Sequence, residues 1–303
     1  MADNSSSWDD DPHLDTPGMD WLEYVTIAAD YFSIPLRLIS ILCDILLIAV
    51  ILKYRRLKNR TNFYLLNFAI FHIFYVLSIP LFYCIMDLFY PKGLEVRWYC
   101  ICSRIENFAI ALLLTFIAGY GVDVWVESQQ ANWFPKYEKR YFYLFFFFYF
   151  FHFMIFAISA NFCFKSGFQN NFNSYFLTTY YLIAVVVLLY LGTNNKDGRL
   201  VKTKSYALNI SIVILLLWLP LFMVYNLINI VKKRNVEIVL WSLTFLPEFL
   251  AYSCSMVVFW KLWKDQKQFK TAFRKIFRRE VSVEDYEELF VVENNGNSDQ
   301  NKM

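Results

Sequence analysis

Histidine is the scarcest informative residue in this chain of 303 residues: His13, His72 and His152 are all it has. They stand too far apart to suggest a ligand trio or a catalytic nucleophile-base set. The six cysteines, Cys43, Cys84, Cys100, Cys102, Cys163 and Cys254, show no clustered spacing with histidine of the kind a structural zinc site needs. Glycine and proline number only 8 each, which counts against a transporter built from paired helices broken at those residues. Charge is also sparse, at 18% of residues and a net of +3, so no nucleic-acid partner is expected. No repeat of 20 to 50 residues is visible, and the N-terminus lacks a basic-then-apolar signal pattern. The sequence therefore predicts no enzyme, no cofactor and no metal.

What is abundant is apolar: 58% of residues are hydrophobic and 20% aromatic, a balance suited to lipid and too apolar for an ordinary soluble domain. A bilayer crossing needs about 20 residues at 1.5 Å each, and runs of that length stand at 31–52, 62–86, 98–126, 141–160, 173–192, 205–231 and 238–262. They are continuous and do not alternate with period two, and lipid leaves no water to satisfy an open backbone, so helices are expected. The predicted fold class is all-α, a seven-transmembrane helix bundle.

Lysine and arginine are distributed unevenly between the two sides. The segments after the first, third, fifth and seventh runs hold 20 of them, the opposite loops hold 6, and the first 30 residues hold none. The positive-inside rule then places the N-terminus outside the cell, with Lys232, Lys233 and Arg234 as an outer exception. The outer tail, 1–30, carries Asp3, Asp9, Asp10, Asp11, Asp15, Asp20, Glu23 and Asp30. With no cleavable signal in view, the first apolar run is expected to serve as its own insertion signal. After the last crossing, 264–279 alternates aromatic and basic residues as a short amphipathic eighth helix on the inner leaflet would. The segment 280–303 is polar and acidic and is expected to be disordered. The bundle domain is thus 31–279.

The run from Arg55 to Ala69, followed by Leu77-Ser78-Ile79-Pro80-Leu81-Phe82, resembles the first cytosolic loop and second helix of rhodopsin-like G-protein-coupled receptors. The placement of Pro80 is similar to that in their peptide-binding branches. Trp218-Leu219-Pro220 resembles the family's sixth-helix Trp-x-Pro, and Phe269 to Arg274 its short eighth helix. The resemblance covers most of the chain in the right order. It implies a plasma-membrane multi-pass receptor for an extracellular ligand, a peptide by the Pro80 likeness, with a heterotrimeric G protein as partner. Three positions depart from it. Asp44 and His72 stand where the family has Asn and Asp; Asp123-Val124-Trp125 replaces Asp-Arg-Tyr; and Ser253 to Trp260 lacks Asn-Pro-x-x-Tyr. The missing motifs keep open a receptor that binds or scavenges without signalling, or a divergent chemosensory receptor.

Candidate residues follow. Glu106, with Arg104 beside it, and Glu248, after Pro247, are ionisable groups at membrane depth, which are costly unless paired or facing a wet cavity. By the resemblance Glu106 falls at or next to a ligand-meeting position; a structural ion pair to Arg104 or Arg37 is the alternative. Asp44 and His72 are expected to form a buried pair, either a proton-sharing switch or a simple interhelical hydrogen bond. Trp218 and Pro220 suggest a hinge or packing, and Asp123 stands at the position of the family's switch motif. The family's disulfide joins the start of the third helix to the second outer loop, which here implies Cys163 with Cys100 or Cys102, Cys100 being favoured. Asn4 opens a glycosylation sequon, Asn4-Ser5-Ser6. The Phe-rich run from Tyr141 to Phe156 reads as lipid-facing or packing surface.

Overall fold

The computed structural model describes residues 20–89, 96–129, 141–166, 172–193, 205–231 and 234–277. Every regular element among them is helical: α1 (Asp20–Lys53), α2 (Arg60–Phe89), α3 (Val96–Gln129), α4 (Tyr141–Ser166), α5 (Phe172–Thr193), α6 (Ser205–Ile230), α7 (Arg234–Leu243), α8 (Phe245–Tyr252), α9 (Cys254–Asp265) and α10 (Lys267–Ile276). Seven segments have the length and apolarity to cross a membrane. α7, α8 and α9 share the last of them, Ile238–Asp265.

α3 is the axis of the bundle. In its membrane-length segment 67% of residues are buried, against 17% for α4 and 22% for α5, and it packs on α2, α4, α5 and α6. Apolar burial drives little helix association in lipid, so close backbone approach and interhelical hydrogen bonds do more of the work. α3 provides both. A Cβ on Gly119 would lie 2.7 Å from a Tyr64 ring carbon, and one on Gly121 would lie 2.8 Å from Ser211 Oγ. Only glycine lets α2 and α6 come so near, and Ser211 Oγ uses that closeness to donate to the Ile117 carbonyl at 2.6 Å.

α1 begins at Asp20, inside the segment expected to be tail. The stretch 20–30 contains no glycine or proline, so nothing stops the helix of the first crossing from extending back through it. The turn before α2 explains itself locally. Asn59 Oδ1 accepts from the Asn62 amide at 2.8 Å, an N-cap for α2, while Asn62 Nδ2 donates to the Leu57 carbonyl at 3.1 Å.

Pro247 accounts for the first of the two breaks in the last crossing, at Thr244. Its ring lacks an N–H and crowds the carbonyl one turn back. The chain tightens there, with the Thr244 amide on the Trp241 carbonyl at 3.1 Å and Thr244 Oγ1 on the Leu240 carbonyl at 3.0 Å.

α4 shows which part of its Phe-rich run faces the bundle. Phe145, His152, Ser159 and Cys163 are buried, at steps of seven, seven and four that keep them on one helix face. Phe146, Phe147, Phe150 and Phe153 on the other faces are exposed, as a lipid-facing surface requires. α10 is shorter than the expected 264–279. It buries Phe269, Ala272 and Phe273, and the Phe273 ring sits 4.4 Å from that of Phe259 on α9. Its apolar side is therefore used largely against the bundle itself.

Candidate functional site

Among the described residues, three groups of polar side chains follow α1 from the end where it begins to the end where it finishes. The first joins α1, α3, α6 and α8. Arg37 Nη2 donates to the Tyr252 hydroxyl at 3.0 Å, and its guanidinium lies 4.6 Å from the Tyr252 ring centre. That hydroxyl in turn donates to Glu248 Oε2 at 3.4 Å. Glu106 is an electrostatic neighbour of both Glu248 and Arg37, and Tyr225 shares a side-chain hydrogen bond with Glu248. Two carboxylates thus stand against one guanidinium. Carboxylates at this depth need such partners, because bilayer interior offers none.

Arg104 does not join them. Two residues along a helix turn the side chain by about 200°, and Arg104 faces α4 and α5 instead, lining a small recess with Asn107, His152 and Ser159. The expected set of Glu106, Arg104, Trp218 and Glu248 is therefore split. The cation close to Glu106 is Arg37, the other partner weighed from the sequence.

The second group lies one layer deeper. His72 Nδ1 is 2.7 Å from Asp44 Oδ2, Ser255 Oγ is hydrogen-bonded to Asp44 Oδ1 and lies 2.7 Å from His72 Nδ1, and His72 Nε2 faces the Ala251 carbonyl at 3.3 Å. All three side chains are buried. A carbonyl only accepts, so Nε2 carries a proton. Ser255 Oγ donates to Asp44 Oδ1, and the cluster ties α1, α2, α8 and α9 together. Asp44 and His72 were visible in the sequence as a pair. Ser255 was not singled out, although its place three residues after Tyr252 put it on the same side of the last crossing.

Trp218 belongs to an aromatic stack between the two groups. Its ring is 5.1 Å from that of Tyr75, which is 5.6 Å from Tyr252 and 6.3 Å from His72. Ser40 Oγ donates to the Tyr252 carbonyl at 2.5 Å, a further tie between α1 and α8. Pro220 lies inside α6 and removes the amide that would have bonded the Leu216 carbonyl. Tyr181 donates to the neighbouring Leu215 carbonyl at 2.6 Å.

The third group closes the far end. Arg60 Nε and Nη2 each lie 3.1 Å from Asp123 Oδ2, so Asp123 takes its cation from α2. Val124, where the resembled family has arginine, is buried.

A further cluster was not anticipated. Thr115 Oγ1 lies 2.6 Å from the Ala111 carbonyl, 2.6 Å from His152 Nε2 and 2.7 Å from the Tyr180 hydroxyl, joining α3, α4 and α5. The signal in the sequence was His152 itself, a single imidazole within a run of phenylalanines.

Cys100 and Cys163 form a disulfide with Cα atoms 5.7 Å apart, and Cys102 is free. Cys163 was expected in a loop but sits in α4, because Asn161, Phe162 and Phe164 extend that helix as far as Ser166. Among the described residues no group of three potential ligands is placed to hold a metal. Asn4, Lys232, Lys233 and the tail 280–303 lie outside the described residues. Set against known proteins, the chain matches no family model and no curated sequence.

Proposed function

We propose that this chain is a plasma-membrane receptor, its acidic tail outside and its basic C-terminal segment in the cytosol, that binds an extracellular ligand within the helical bundle and signals through a heterotrimeric G protein. The observation that carries the reading is the first polar group: Glu106 and Glu248 set against Arg37 at membrane depth. Ionisable groups so placed are expensive and mark functional sites by default. A ligand that engages Glu248 or Arg37 competes for the Tyr252 hydroxyl. Tyr252 is bonded through its carbonyl to Ser40 and is adjacent to Ala251, whose carbonyl faces His72. A displacement of α8 thus reaches the Asp44–His72–Ser255 cluster through bonded contacts, the kind of element whose two arrangements a ligand biases. The orientation rests on the lysine and arginine excess described above. The basic face of α10 suits an anionic inner leaflet.

One observation favours a second reading, a receptor that binds ligand without activating a G protein or a divergent chemosensory receptor. The far end is closed by Arg60 and Asp123 from different helices, with valine where the resembled family carries its switch arginine.

Binding of a non-hydrolysable GTP analogue to membranes from expressing cells tests the choice. The first reading expects uptake above that of empty membranes, reduced by Glu248→Gln; uptake equal to empty membranes at matched surface expression selects the second. Antibody access to N-terminal and C-terminal epitope tags on intact cells tests the orientation, and both tags being accessible rejects it.

A further inference from the structure

Among the described residues, Glu106 is left without a hydrogen bond or ion pair. Arg37 donates to the Tyr252 hydroxyl and meets Glu248 through it, and Glu248 also shares a hydrogen bond with Tyr225. The first polar group thus holds one carboxylate more than its cation balances, and Glu106 is the unengaged one. Glu106 and Glu248 each stand within a membrane-length segment, yet both are only half-buried and keep surface that a small molecule reaches. Tyr75 of α2, Tyr225 of α6 and Tyr252 of α8 are each electrostatic neighbours of the two carboxylates. The Tyr75 and Tyr252 ring centres are 5.6 Å apart, and the Tyr252 face already carries the Arg37 guanidinium at 4.6 Å. Carboxylate oxygens and tyrosine faces are the groups that attract an organic cation. Asp30, exposed and two turns before Arg37 on α1, adds its charge at Glu248 and strengthens the field that gathers cations at this end of the bundle.

We infer that the ligand of this site carries an ammonium group, seated on Glu106 with Glu248 as its second carboxylate and the tyrosine rings about its carbon skeleton. The inference rests on the reading above that the first polar group is the ligand site, and it adds the sign of the ligand's charge. A carboxylate without a bond at membrane depth is costly. An incoming ammonium supplies three donors to it where the protein supplies none. An anionic ligand would have to displace Tyr252 from Arg37 while standing beside two carboxylates, and a neutral ligand leaves the charge unbalanced. The unengaged carboxylate therefore selects by repulsion as well as attraction.

The test uses purified full-length protein in nanodiscs of phosphatidylcholine, with benzylammonium as probe and benzyl alcohol and benzoate as neutral and anionic controls of similar shape. Binding is read as the rise in melting temperature with probe concentration. Saturable stabilisation by benzylammonium, and none by the two controls, is expected, and Glu106→Gln should weaken it at least about tenfold. Benzylammonium bound equally by wild type and Glu106→Gln, or no better than benzyl alcohol, overturns the inference. If Glu106→Gln fails to fold, Glu248→Gln decides the matter: undiminished benzylammonium affinity overturns it. Stabilisation by benzoate alone, lost in Arg37→Gln, overturns the ammonium inference and leaves the ligand site standing at Arg37. Stabilisation by none of the three probes overturns the ligand site and the ammonium inference together.

Discussion

His72 Nδ1 lies 2.7 Å from Asp44 Oδ2, with both side chains wholly buried. An acid and a base so placed hold each other in a medium where neither is tolerated alone. Removing one partner leaves an uncompensated polar group, at a cost of about 3–5 kcal/mol for a buried pair. Asp44→Ala and His72→Ala should each lower thermal stability in detergent strongly. The double variant should lose much less than the sum of the two. Additive losses in that cycle would mean that the two side chains do not act as a unit.

Ser255 is the third member, and its hydroxyl touches both of the others. Ser255→Ala deletes a donor without adding bulk, so a loss of about 1–3 kcal/mol is expected from the unsatisfied acceptor left behind. A melting temperature equal to that of wild type would remove Ser255 from the cluster.

The sequence made these residues unequally legible. Asp44 and His72 stood out because charge is rare inside apolar runs, and each occupies a crossing made mostly of aliphatic and aromatic residues. The seven crossings were legible for the same reason, since a helix that spans lipid needs a long apolar run. Their partners were harder to see. Ser255 and Tyr252 are contributed by helices distant in sequence, and serine or tyrosine in a membrane helix carries no signal of its own. The pairing of Glu106 depended on helical phase: Arg104, nearer in sequence, lies about 200° away around α3, while Arg37 of α1 is close in space. The break at Pro247 and the extension of α4 past 160 depended on local backbone bonding, which hydropathy does not report.

Gly121 sets the distance between α3 and α6. A Cβ there would meet Ser211 Oγ at 2.8 Å and Ser211 Cβ at 2.9 Å, so Gly121→Ala should cost about 1–3 kcal/mol through overpacking. Ser211→Gly in the same chain removes both clashing atoms and should recover part of the loss. Thermal unfolding of the single and double variants checks this, and a double variant no better than Gly121→Ala alone would show that the strain lies elsewhere.

Thr115 is the hub of the α3–α4–α5 contact, with His152 and Tyr180 both directed at its hydroxyl. Thr115→Val preserves shape and removes the hydrogen-bonding group, leaving an imidazole and a phenol to seek other partners in an apolar layer. A loss of about 2 kcal/mol is expected, and His152→Phe in the same background should restore part of it, since phenylalanine makes no polar demand. Restoration that is absent while Tyr180→Phe restores stability would assign the cost to the phenol.

Arg60 and Asp123 meet at 3.1 Å at the far end of the bundle, and Val124 beside them is buried. Placing arginine at 124 therefore does more than add a motif: it buries a second cation next to a carboxylate that already has one. Val124→Arg alone should lower surface expression and stability, because the new guanidinium must displace Arg60 or stay unpaired in an apolar layer. Combined with Arg60→Gln it gains Asp123 as a partner, and expression should recover. GTP-analogue uptake in the combined variant then separates the two receptor readings. Uptake above wild type at equal expression means the exit end lacks only its arginine. Recovered expression with no added uptake means the partner-facing surface is not built for a G protein, and the binding-only reading stands.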